Sequence, residues 1–78
     1  MEKLQSTGQP KLTGYRELSE AEVDLMNDIK LTGEDIGALV ATVAAHPDAD
    51  QRWVAIARTE LQQGLMALTR AVARPTSF

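Results

Sequence analysis

The chain has 78 residues with 8 basic and 11 acidic side chains, a net charge of −3 and no cysteine. That length is too short for two domains, the missing cysteines exclude a disulfide framework, and the balance points to one small intracellular module. Only one Trp, one Tyr and one Phe accompany an apolar fraction of 44%, so Ala, Leu and Val must do the packing. The polar start Met1-Glu2-Lys3-Leu4-Gln5 has no apolar stretch behind it, and no run of about 20 apolar residues occurs, so neither secretion nor membrane spanning is expected and cytoplasm is the default. Charge is uneven: residues 1–51 carry 4 basic and 10 acidic side chains, whereas 52–78 carry Arg52, Arg58, Arg70 and Arg74 against Glu60 alone. A duplex-DNA binder needs a broad basic face to displace counterions, which this chain lacks, but a local site for a small phosphate ligand remains open.

Residues 1–14, with Gly8, Pro10 and Gly14 among Ser and Thr, read as a flexible arm, leaving 15–75 as the folded hairpin and 76–78 as a tail. Ser19 and Glu22 have the spacing of a capping box, and Glu20 and Glu22 suit the positive end of a helix. From that cap, Met26, Ile29, Gly33, Ile36, Val40 and Val43 follow the 3-4 spacing of a packed seam. The poor helix formers Thr32-Gly33-Glu34-Asp35 predict a kink or short break. Pro47 biases His46 away from helical angles and stops the first helix, after which Asp48 or Asp50 can cap a second. In that second helix Val54, Ala57, Leu61, Gly64, Leu68 and Ala71 repeat the spacing until Pro75.

The fold class expected is all-α: an antiparallel helical hairpin with a kinked first helix. A turn centred near Pro47 sets Gly33 opposite Leu61 and Gly64 opposite Lys30, and returns Arg70 and Arg74 to the start of the first helix, near Tyr15 and Arg16. Two amphipathic helices enclose little volume. Val23, Leu25, Leu31, Leu39, Trp53, Ile56, Leu65 and Val72 lie off the seam and read as subunit contacts of a compact homo-oligomer.

Chemistry-bearing residues are sparse. One His in a turn, no Cys and no His/carboxylate spacing for a metal leave no catalytic or metal constellation, so no enzyme and no cofactor are expected. No phosphate-binding glycine loop is present. Tyr15-Arg16 precedes the first cap, where a ring and a guanidinium meet either a nucleotide or, more plainly, the helix entry as a hydrophobic staple. Lys30 reads as a solvated helix lysine, Arg70 and Arg74 as cations at a negative helix end, Trp53 as a packing anchor, and Met26 and Met66 as packing. Lys30 is about 16 Å along the helix from Ser19, so one compact ligand touching both Tyr15 and Lys30 requires two subunits.

The segments Tyr15-Arg16-Glu17-Leu18-Ser19-Glu20, Leu25-Met26-Asn27-Asp28-Ile29-Lys30, Arg52-Trp53-Val54-Ala55-Ile56-Ala57-Arg58-Thr59 and Gln63-Gly64-Leu65-Met66-Ala67-Leu68-Thr69-Arg70-Ala71-Val72-Ala73-Arg74-Pro75 together resemble the phage anti-CBASS type 2 proteins. These are helical-hairpin sponges, with related anti-Thoeris sponges of similar hairpin. The resemblance covers residues 15–75. It implies a homohexamer in the cytoplasm of an infected bacterial host that sequesters 3′,3′-cyclic dinucleotides such as cyclic GMP-AMP between protomers and cyclic trinucleotides at separate sites, without cleaving them. By position it implies that Tyr15 stacks on a dinucleotide base, that Lys30 meets its phosphate, and that Thr32 and Arg70 belong to the trinucleotide site. Phe78 and the arm have no implied role, and DNA and membrane are not among the implied partners. The alternative that the residues alone allow is a structural or adaptor hairpin oligomer without a nucleotide ligand.

Overall fold

A computed structural model of the chain describes residues 17–76, so Tyr15, Arg16 and Phe78 lie outside the described residues. The chain forms two helices, α1 over Glu20–Ala44 and α2 over Gln51–Ala73, which pack side by side as an antiparallel hairpin; no strand occurs among the described residues.

Each helix begins as its sequence demands. The Ser19 hydroxyl accepts from the Glu22 backbone N–H at 3.1 Å while the Ser19 N–H donates to Glu22 Oε1 at 2.8 Å, the reciprocal box that satisfies two donors a helix start otherwise leaves open. Asp50 opens α2, its Oδ1 accepting from the N–H groups of Arg52 at 3.0 Å and Trp53 at 3.3 Å. The turn between them closes on itself. His46 N–H donates to the Val43 carbonyl, Asp48 N–H to His46 Nδ1 at 3.2 Å, and the Gln51 amide reaches back to the Ala44 carbonyl at 3.1 Å, covering an acceptor that the end of α1 leaves exposed.

The Thr32-Gly33-Glu34-Asp35 stretch does not break α1, which is helical without interruption from Glu20 to Ala44. Glycine costs helix stability by its backbone entropy, but packing against α2 outweighs a propensity penalty of about 1 kcal/mol. At the far end, Arg74 caps α2 in the left-handed region, φ 46°, with its N–H on the Arg70 carbonyl at 2.7 Å. That geometry carries its guanidinium to Glu22 Oε2 at 2.7 Å, so the end of α2 is fastened to the cap of α1. The expected return of the C-terminal arginines to the start of α1 is therefore met by Arg74. Arg70 sits deeper along the hairpin, beside Lys30.

The seam on α1 follows the expected spacing, with Met26, Ile29, Gly33, Ile36 and Val40 half-buried, but ends on Ala44 because Val43 is exposed. On α2 the spacing holds through Val54 and Ala57 and then departs: Leu65, Thr69 and Val72 are half-buried, whereas Gly64, Leu68 and Ala71 are exposed. A Cβ placed on Gly33 would lie 3.3 Å from Leu65 Cδ1, so Leu65, not Leu61, packs on that glycine; a Cβ on Gly64 would meet nothing within 4 Å. Helical side chains lean toward their own N-terminus, so a leucine one turn later on α2 reaches the glycine. Thr69 tolerates a seam position because its hydroxyl donates to the Leu65 carbonyl at 3.0 Å.

Among the described residues none is fully buried. The hairpin has a half-buried seam and two unlike sides. At about 100° per residue, Leu25, Leu39 and Val43 of α1 and Trp53, Leu61 and Leu68 of α2 fall on one side. Lys30 and Gly37 of α1 and Arg58, Gln62, Met66 and Arg70 of α2 fall on the other. The first side is apolar and open, with Leu39 63% and Trp53 61% exposed, and Leu39, Val40, Val43, Val54, Ala57 and Leu61 line a shallow apolar hollow of about 200 Å³ on it. No helix among the described residues is long and apolar enough to cross a membrane.

Candidate functional site

The second side carries a groove of about 380 Å³, lined from α1 by Ile29, Lys30 and Gly33 and from α2 by Leu65, Met66, Thr69 and Arg70. Gly33 opens it: without a side chain there, the helices approach and the floor is made by Ile29 and Leu65. Lys30 rises from one wall and Arg70 from the other. Neither side chain makes an ion pair or hydrogen bond among the described residues, and no Asp or Glu lines the groove. Two cations unpaired among the described residues, above an apolar floor, suit a ligand that has an anionic group and a flat apolar part. The Thr69 hydroxyl spends its proton on the Leu65 carbonyl but keeps acceptor capacity toward the groove.

Lys30 and Arg70, which the family resemblance assigns to two different sites, thus stand on opposite walls of one groove. Thr32 does not join them. It is exposed and, by helical rotation, lies on the apolar side of the hairpin, so Thr32 and Arg70 of a single chain cannot touch the same compact ligand. Tyr15 lies outside the described residues. Met66, read from sequence as packing, is 64% exposed and forms part of the groove wall. Its place was hidden because a methionine off the seam has the same pattern whether it meets a ligand, a subunit or water.

Arg52 and Trp53 form a second cationic feature near the turn, with the guanidinium 5.9 Å from the ring centroid, but this pair sits at the start of α2 and away from the groove. No group of three or more His, Cys, Asp or Glu side chains placed to hold a metal occurs among the described residues.

Comparison with known proteins agrees with the hairpin. A family model described as the Acb2/Tad1 hairpin domain matches residues 10–73, a span that contains both helices, the turn and the groove. Anti-CBASS protein 2 of Pseudomonas phage JBD67 is 32% identical, aligned over 83% of this chain and 92% of its own length. A match that runs from ahead of the Ser19 cap to the end of α2, joined to a full-length relative of that identity, settles the kinship: the chain belongs to the Acb2/Tad1 hairpin-domain family, the anti-CBASS type 2 proteins.

Proposed function

We propose that the chain is a non-enzymatic sponge for cyclic oligonucleotide signals, acting in the cytoplasm of an infected bacterium to keep the CBASS signal from its effector. The observation that carries this is the convergence of Lys30 and Arg70, from different helices, on a groove with an apolar floor and no acidic lining. The kinship with an anti-CBASS protein of a Pseudomonas phage supports the biological role. Tyr15 with Lys30 takes cyclic dinucleotides such as 3′,3′-cyclic GMP-AMP, and Thr32 with Arg70 takes cyclic trinucleotides. Because Thr32 and Arg70 lie on opposite sides of one hairpin, their site forms from two protomers. The open apolar side supplies the contact that brings protomers together, in a homohexamer, since none of the described residues is fully buried and large apolar side chains stay exposed on the single hairpin.

Titration calorimetry with 3′,3′-cyclic GMP-AMP and cyclic tri-AMP tests the proposal, followed by denaturation of the complex and chromatography of the released ligand. Binding with the ligand recovered intact is expected. Silence across the panel favours a purely structural hairpin oligomer, and protein-dependent linear product would mean an enzyme.

A further inference from the structure

The two helices are opposite in charge. α1 carries six acidic side chains and one basic one, whereas α2 carries three basic and one acidic. At about 100° per residue, Asp24, Asp28 and Asp35 turn to the outside of α1, away from the seam, and Arg52 turns to the outside of α2. Little of this charge is paired within the hairpin. Arg74 takes Glu22, while the side chains of Asp24, Asp28, Asp35 and Arg52 make no ion pair or hydrogen bond among the described residues. Each outside also holds an apolar feature. Leu31, 59% exposed, stands on α1 between Asp28 and Asp35. On α2 a shallow hollow of about 400 Å³ is lined by Ala55, Ile56, Thr59, Glu60 and Gln63, with Ile56 half-buried and Arg52 about one helical turn ahead of it. Neither feature belongs to the Lys30/Arg70 groove or to the open apolar side.

We propose that the outside of α1 docks on the outside of α2 of a second copy of this chain, with Leu31 seated in the Ile56 hollow and an acid of α1 paired with Arg52. The pairing holds for either direction of crossing. With Leu31 over Ile56, an antiparallel pass sets Asp35 beside Arg52 and a parallel pass sets Asp28 there, because each lies about one turn from Leu31. Glu60, about one turn beyond Ile56, is the like charge that this contact must tolerate. The two faces are different patches of one chain, so the contact is heterologous, each copy offering its acidic face to one neighbour and its basic face to another. It needs no ligand and adds to the association through the open apolar side.

Light scattering over a dilution series of the full chain tests this, with circular dichroism to check that each variant keeps its helices. Arg52→Glu, and separately Asp28→Lys with Asp35→Lys, should bring dissociation on at a protein concentration about tenfold or more higher than in the wild type. Combining all three reverses both faces at once and should restore the wild-type mass, which loss of a merely structural residue would not allow. Leu31→Ser, at an exposed position, should weaken association without a change of charge, and Glu60→Gln should hold the assembly together to greater dilution. Wild-type behaviour of Arg52→Glu or of Leu31→Ser, or a triple variant that dissociates as readily as the single-face reversals, overturns the contact. If Leu39→Glu still lowers the mass in that case, association through the apolar side stands without it, whereas a monomeric wild-type protein overturns both.

Discussion

Replacing the α1 glycines one at a time with alanine measures how closely the helices approach. An alanine in a helix interior is favoured over glycine by about 1 kcal/mol because the unfolded chain has less freedom to lose. At Gly37 nothing opposes that gain, since the new methyl would have no neighbour within 4 Å. At Gly33 the methyl would sit 3.3 Å from Leu65 Cδ1, tighter than ordinary contact, and Leu65 must move by a few tenths of an ångström. Leu65 is half-buried in the seam, and pushing such a side chain off its rotamer costs about 0.5–1.5 kcal/mol, which cancels most or all of the propensity gain. For a chain of this size 1 kcal/mol corresponds to about 4–8 °C in Tm, so Gly37→Ala should melt about 4–8 °C higher than the wild type and Gly33→Ala within about 3 °C of it. Circular dichroism melts at one fixed protein concentration provide the comparison, because any association makes Tm concentration-dependent. Equal stabilisation by the two substitutions would refute the close approach of Gly33 to Leu65.

The remaining expectations address the caps, the apolar side and the ligands. Asp50→Ala leaves the Arg52 and Trp53 N–H groups without their acceptor and should cost about 1 kcal/mol in a chemical melt, whereas Asp48→Ala, whose carboxylate accepts no hydrogen bond among the described residues, should cost little. Leu39→Glu puts a charge in the middle of the apolar side and should lower the mass found by light scattering after gel filtration; a wild-type protein that is a folded monomer at micromolar concentration would remove the reason for this. Tyr15→Ala should remove base stacking of about 1–3 kcal/mol, weakening cyclic dinucleotides about tenfold or more and sparing trinucleotides. Arg70→Ala should do the converse in titrations on an intact oligomer, and equal losses for both ligands in both variants would replace two sites by one mixed pocket.

Helix limits were legible in the sequence because they are set by local chemistry: Ser19 with Glu22, Asp50, Pro47 and Pro75 each act within a few residues of themselves. The α1 seam was legible for a related reason, since charged residues flank it. The α2 seam was not. Leu61, Leu65 and Leu68 offer two apolar rows of nearly equal strength, and only the neighbouring helix chooses between them. A strict alternation of three and four also drifts from 3.6 residues per turn, and over α2 that drift carries the counted row off Leu65 and Thr69. The groove was hidden as well, because Lys30 and Arg70 are 40 positions apart in sequence and meet only through the register of the turn.

Because Arg74 is bonded to Glu22, the first and last helical turns of the fold occupy one pole, and the Pro47-Asp48 turn occupies the other. Chain order is then a matter of which pole is left open. A circular permutant that starts at Asp48, runs through α2, crosses a short Gly/Ser linker from Arg74 to Tyr15 and finishes at Pro47 keeps the seam, both caps, Tyr15 and every residue that lines the groove. It also moves both new ends to the pole away from Lys30 and Arg70, so a fluorophore or surface tether attached there leaves that end of the groove clear.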